Sequence, residues 1–158
     1  MQVEIHNMAG HLIRRLNQIS VSVFQDRMKS LGFDLTQVQF AALNAIRLNA
    51  GIDQASLAGL IAYDRATIGG VVDRLVAKGY VDRKVSETDR RAKVLALSEA
   101  GVALLGQVTP AIQALQTDIL TGLDDAERDE FLRLAAKVAA AGNELSRAPL
   151  LPPKDRRK

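Results

Sequence analysis

The chain has 158 residues, with 21 Lys and Arg against 18 Asp and Glu, a formal net charge of +3 and no cysteine. This length suits one domain with a sizeable buried core, and the missing cysteines exclude a disulfide framework, thiolate metal sites and cysteine nucleophiles. With only two histidines, no apolar run near the roughly 18 residues of a membrane span and no leader pattern at the N-terminus, the expectation is a cytoplasmic protein with no metal, no cofactor and no membrane partner.

Ile5, Met8, Leu12, Leu16, Ile19, Val23 and Met28 recur at helical spacing and predict a first helix over 5–31, ended by Gly32. Ile13, Val21 and Phe24 widen its apolar surface beyond one stripe, as in a helix lying between two neighbours. Thr36 with Gln39 is a capping-box start for a helix carrying Val38, Phe40, Leu43 and Ile46. Asp53 reads as the N-cap of a short helix with Leu57, Ala58 and Leu60. After a break at Ala62-Tyr63, Asp64 caps a predicted helix over 65–78 with Ile68, Val71, Val72 and Leu75 inside, and Gly79 ends it. The pattern then changes: 80–85 and 94–97 read as two short strands around the polar connection 86–91, a β-hairpin. Ser98 starts a helix to about 120, which Pro110 is expected to kink or interrupt. Asp124 with Glu127 is a second capping box and opens the last helix, over 126–145. Residues 148–158 read as a flexible basic tail ending in Lys154-Asp155-Arg156-Arg157-Lys158.

No catalytic constellation emerges. There is no Gly-x-Ser-x-Gly elbow, no phosphate loop and no dinucleotide fingerprint, so an enzyme is not expected. What stands out is helix, short helix, helix and hairpin over 36–98, the order of a winged helix-turn-helix. The exposed side of its second helix carries Arg65, Thr67, Gly69, Gly70, Asp73 and Arg74, preceded by Asp64 and followed by Lys78. Two glycines inside a helix cost about 1 kcal/mol each relative to Ala, which points to close approach by DNA or to tight packing on a neighbouring helix. Arg65 and Thr67 are placed to reach base edges, Arg74 and Lys78 to meet phosphates. Arg90 and Arg91 sit at the hairpin tip, where an arginine on a narrow ribbon can enter a minor groove, with Asp89 beside them to hold a guanidinium.

The wing segment Asp89-Arg90-Arg91, followed by Val94, Leu97, Ser98 and Gly101, resembles the wing signature of the MarR family of bacterial transcription regulators. Leu35-Thr36 with Gln39-Phe40 and Leu43, and Val72-Asp73-Arg74-Leu75 with Lys78-Gly79-Tyr80-Val81, extend the resemblance to most of the chain. It implies a mainly α fold with a small β-hairpin, a winged helix-turn-helix lobe (36–98) plus dimerisation helices (5–31 and 99–146) in one unit over 1–147. It further implies a homodimer on double-stranded DNA, binding a pseudo-palindromic operator as a repressor, and release by a small aromatic carboxylate effector. The Asp-x-Arg pattern carries over as Asp89 and Arg91, with Arg91 the minor-groove arginine, Asp89 its orienter, and Arg90 the intervening residue on phosphate. The stretch His11-Leu12-Ile13-Arg14-Arg15-Leu16-Asn17-Gln18 is similar to regulators of nicotinic acid catabolism, which implies a hydroxylated nicotinate.

A carboxylate ligand needs a cationic donor beside an apolar wall. His6, His11, Arg14 and Arg15 are the donors expected, with Phe40 and Leu43 as the wall. The competing expectation is a winged-helix protein-interaction module without specific DNA binding, for which Asp89 beside Arg91 would have no use.

Overall fold

A computed structural model describes residues 4–87 and 89–152. Within them the chain forms six α-helices and a three-stranded antiparallel sheet. Ile5–Asn7 is a 3-10 turn, and Met8 is extended before α1 begins (Ala9–Ser30). The first helix is therefore shorter at its N-terminus than its apolar spacing predicts. The capping box at Thr36 opens α2 (Gln37–Leu48), with the Gln39 N–H bonded to Thr36 Oγ1 and the Thr36 N–H bonded to Gln39 Oε1, both at 3.2 Å. Asp53 caps α3 (Gln54–Leu60) through the Ser56 N–H at 2.8 Å.

The hairpin forms as expected, from β2 (Val81–Val85) and β3 (Lys93–Leu97), with Val81 opposite Leu97 and Val85 opposite Lys93. A third strand joins it: β1 (Ile52–Asp53) pairs with the other edge of β3, giving the order β1-β3-β2. Two residues are too few to show alternation, so this strand is silent in the sequence.

Recognition-type helix α4 spans Ile68–Ala77 and starts three residues later than predicted. Asp64 does cap, but it caps a turn: its Oδ1 accepts the N–H groups of Ala66 at 2.8 Å and Thr67 at 3.2 Å. Arg65 and Thr67 thus lie in the turn leading into α4, not in its first turns. Helix α5 (Glu99–Ile119) runs through Pro110 without interruption. Pro110 and Gly106, whose carbonyl loses its partner, both lie on the exposed side, where water can serve that carbonyl. The capping box at Asp124 opens α6 (Asp125–Ala141), and a 3-10 turn over Asn143–Leu145 completes the span assigned to the last helix.

The core is one cluster linking Phe24 and Met28 of α1, Leu43 and Ile46 of α2, Leu57 of α3, Ile68, Val72 and Leu75 of α4, Leu95 of β3, and Val108, Ile112 and Leu115 of α5. Each fully buried side chain of this kind stabilises the fold by about 1.5–3 kcal/mol. The helix ends flanking this cluster are bare. Ile5, Met8, Leu12, Ile13 and Leu16 near the N-terminus, and Leu132, Leu134 and Val138 of α6, are exposed, and α6 buries no residue. No helix among the described residues is long and apolar enough to cross a membrane.

One expectation is corrected at the C-terminus. The basic residues Lys154-Asp155-Arg156-Arg157-Lys158 lie outside the described residues. The stretch 148–152, however, is tied to α3: the Leu151 N–H donates to Gly59 O at 2.9 Å, and the Leu151 side chain lies against Gly59.

Candidate nucleic-acid interface

The exposed residues of α4 and its leading turn form one face. Arg65, Ala66, Thr67, Gly70, Asp73 and Arg74 are exposed, while Ile68, Val71, Val72 and Leu75 turn into the core. The two glycines differ in what surrounds them. A Cβ on Gly69 would stand 3.3 Å from Gln54 Nε2 of α3, so packing accounts for this residue. A Cβ on Gly70 would meet nothing within 4 Å. Internal packing gives no reason for Gly70.

The wing is built on the start of α5. Ser98 Oγ donates to Gly79 O at 2.6 Å and accepts the Gly101 N–H at 3.0 Å, and the Ser98 N–H reaches Tyr80 O at 3.1 Å. Gly101 is required there, because a Cβ would fall 2.1 Å from Tyr80 O. One serine and one glycine thus clamp the exit of α4, the foot of β2 and the first turn of α5 together.

At the wing tip Asp89, Arg90 and Arg91 are all exposed. Asp89 Oδ1 accepts the main-chain N–H of Arg91 at 2.9 Å, while Asp89 O accepts the Ala92 N–H at 2.9 Å. The expected grip on a guanidinium is therefore a grip on the backbone. A short carboxylate two residues upstream bonds its own turn more readily than it follows a long flexible side chain. Asp89 shapes the turn that presents Arg91, whose guanidinium makes no ion pair among the described residues.

Two cations of this region already have partners. Arg83 of β2 is bound to Asp73 of α4. Lys78, expected on phosphate, donates to Asp34 O and to Asp34 Oδ2, the latter at 2.8 Å. That hydrogen bond and the lysine charge hold the Asp34 carboxyl below its ordinary pKa. Neither pairing was visible in the sequence, since Asp34 and Lys78 are brought together only when the loop before α2 meets the end of α4.

The expected ligand residues are not gathered within this chain. Leu43 is fully buried in the core and cannot line an open site. Phe40 packs beside Phe24, ring centroids 6.4 Å apart, and lines an apolar groove of about 480 Å³ with Leu48, Leu60, Ile61 and Leu150. Among the described residues no Arg, Lys or His lines that groove. The basic residues sit elsewhere, on α1 and the 3-10 turn before it. At ~1.5 Å per helical residue, Arg14 lies roughly 15 Å from Phe24 along the axis. His6 and His11 meet edge to face at 5.2 Å, Arg14 Nη1 donates to Gln18 Oε1 at 3.1 Å, and Arg15 is exposed.

Residues 33–92 match the family model of the MarR family. Over 135 residues the chain is 33% identical to the HTH-type transcriptional repressor NicR of Pseudomonas putida, covering 85% of this chain and 84% of that one. The structure superposes with a TM-score of 0.80 on BpsR of Bordetella bronchiseptica, whose DNA binding is regulated by 6-hydroxynicotinic acid. That match has 29% identity and covers 88% of this chain and 98% of BpsR. A mutant MarR of Escherichia coli complexed with operator DNA matches with a TM-score of 0.77 and 27% identity, covering 87% of this chain and 99% of that one.

Proposed function

This chain belongs to the MarR family of transcription regulators, not to a class of enzymes, and we propose that it is a homodimeric repressor released from its operator by a small aromatic carboxylate. The observation that carries the DNA-binding part is the wing tip, where Asp89 fixes the backbone of Arg91 and leaves its guanidinium exposed. In this reading Arg91 enters the minor groove, where narrow A·T tracts attract guanidinium. Arg65 and Thr67, on the turn shaped by Asp64, reach base edges in the major groove, and Gly70 lets the backbone come close, whereas Gly69 serves the packing on Gln54. Arg74 and Arg90 meet phosphates. Lys78 adds less, because Asp34 already holds it.

The dimer is supported by the bare apolar surfaces of α1 and α6, which a monomer would leave in water. Two such lobes would place their reading helices about 34 Å apart, one turn of DNA. The effector class is supported by the regulation of BpsR by 6-hydroxynicotinic acid. Arg14 is the carboxylate donor in this reading. His11 beside it has a shielded Nε2 with no hydrogen-bond partner among the described residues. The apolar wall would come from the second subunit, since this chain's own Phe40, on α2, packs beside Phe24, roughly 15 Å along α1 from Arg14.

Selecting genomic fragments with the purified protein, with and without hydroxylated nicotinates, tests the reading. The expected result is a few enriched pseudo-palindromes whose retention falls when the acid is present. Uniform retention of all fragments, or none, would overturn it.

A further inference from the structure

The chain that leaves α6 returns to the winged helix and is fastened there. Asn143 holds Leu150 by both main-chain groups, with Nδ2 donating to Leu150 O at 3.1 Å and Oδ1 accepting the Leu150 N–H at 2.8 Å. The next N–H, of Leu151, donates to Gly59 O at 2.9 Å. The Leu151 side chain covers Gly59 so closely that a Cβ there would stand 3.1 Å from Leu151 Cβ. The Asn143 side chain thus ties the strap to the turn after α6, and the single main-chain bond from Leu151 to Gly59 sets its register on α3.

The strap carries an exposed arginine, Arg147, to the reading turn. Arg147 and Arg65 line one cleft of about 290 Å³, together with Tyr63 and Asp64. Among the described residues the only carboxylate lining that cleft, Asp64, accepts the Ala66 and Thr67 N–H groups. Among the described residues neither arginine makes an ion pair. Two guanidiniums against one carboxylate leave the cleft a net positive charge that favours an anion.

We propose that Arg147 is a DNA-phosphate contact outside the winged helix proper, delivered beside the reading turn by docking of the C-terminal strap on α3. The proposal rests on the DNA-binding reading above. Phosphate is the target, not a base edge, because Arg147 reaches the cleft from outside the winged helix, beside the turn that carries Arg65 and not on it. Such contacts fix register and carry no sequence information.

The test measures salt dependence on a selected operator and on a mixed-sequence duplex. Arg147→Ala should lower the log–log salt slope by about 0.9 per subunit on both duplexes, with the selected consensus unchanged. Asn143→Ala, which releases the strap, should lower it equally, and the double variant should go no further. Leu151→Ala, which strips the side chain that covers Gly59 and leaves every cation of the chain in place, gives the same readout should Asn143→Ala misfold. Wild-type protein that shows no DNA binding defeats the underlying reading. Wild-type binding with an unchanged slope in Arg147→Ala defeats this proposal alone, as do additive losses in the double variant.

Discussion

Arg83 on β2 and Asp73 on α4 are bound guanidinium to carboxylate, across the angle between the wing and the helix that precedes it. The pair fixes where the wing leaves α4, and it neutralises the one carboxylate on the exposed face of that helix. Asp73 is largely exposed, so the contribution to folding is under about 1 kcal/mol. Arg83→Ala should therefore leave the melting temperature nearly unchanged but weaken binding to every duplex, most at low salt, because Asp73 would then repel phosphate. Adding Asp73→Asn to Arg83→Ala should restore part of the loss. Titrations at two salt concentrations check this, and no recovery in the double variant would show that the bridge acts through geometry alone.

The Asp89–Arg91 contact separates two roles for one carboxylate. Arg91→Ala should weaken operator binding by about 1–3 kcal/mol with folding intact. Because Asp89 bonds the Arg91 N–H and not its guanidinium, Asp89→Asn keeps an acceptor for that N–H and should bind at least as well as wild type. Asp89→Ala loses the turn and should bind worse. Equal losses in both Asp89 variants would return the negative charge itself to the centre of the role.

Gly101 and Gly70 should respond in opposite ways. At Gly101 a methyl group would press on the Tyr80 carbonyl, so Gly101→Ala should cost about 3 kcal/mol, the upper end of ordinary overpacking. At Gly70 the space is open, so Gly70→Ala should stabilise the fold by up to about 1 kcal/mol. If DNA approaches the backbone there, the same variant should bind DNA more weakly. Thermal melts and binding isotherms on both variants decide it. A Gly70→Ala protein that is both more stable and an equal binder would remove close approach as the reason for that glycine.

Arg74 and Lys78 were equivalent in sequence and are not equivalent in structure. Arg74→Ala should lower the salt slope by about 0.9 per subunit, whereas Lys78→Ala should lower it far less, because its ammonium is held by Asp34. The hydrogen bond from Lys78, then its charge, depress the Asp34 pKa. The pair's contribution is therefore present at neutral pH and above the ordinary carboxylate range, and is lost as pH falls through the lowered value. An acid titration should show Asp34 protonating later in wild type than in Lys78→Ala. Equal salt slopes for the two variants would put Lys78 back on phosphate.

What was legible in the sequence was local. Thr36 with Gln39, Asp53, Ser98 and Asp124 with Glu127 each cap a helix within three or four residues, and each stands where the sequence places it. The same signal misled at Asp64, because an acceptor for two N–H groups looks alike whether it opens a helix or a turn. The rest depends on residues far apart in the chain. Asp34 with Lys78, Asp73 with Arg83 and Gly59 with Leu151 have no signature until the helices pack. The expected apolar wall comes apart for a related reason: Leu43 and Phe40 share a helix, but Leu43 faces the core and Phe40 a groove.

The switch makes the strongest demand on the energetics. For an aromatic carboxylate to lower operator affinity a hundredfold, it must prefer the non-binding form by about 2.7 kcal/mol. An exposed carboxylate–arginine pair gives only about 0–1 kcal/mol, and Arg14 is exposed in the single chain. The donor can supply enough only where a second subunit covers it, so the effector should bind the dimer and not a dissociated monomer. Linkage then requires that operator DNA weaken effector binding by the same factor. Calorimetry with 6-hydroxynicotinate on free protein and on the operator complex should show that ratio. The Arg14→Ala/Arg15→Ala variant should keep operator affinity and lose the response. Equal effector affinity with and without DNA would sink the switch, and a full response in the double variant would move the site away from α1.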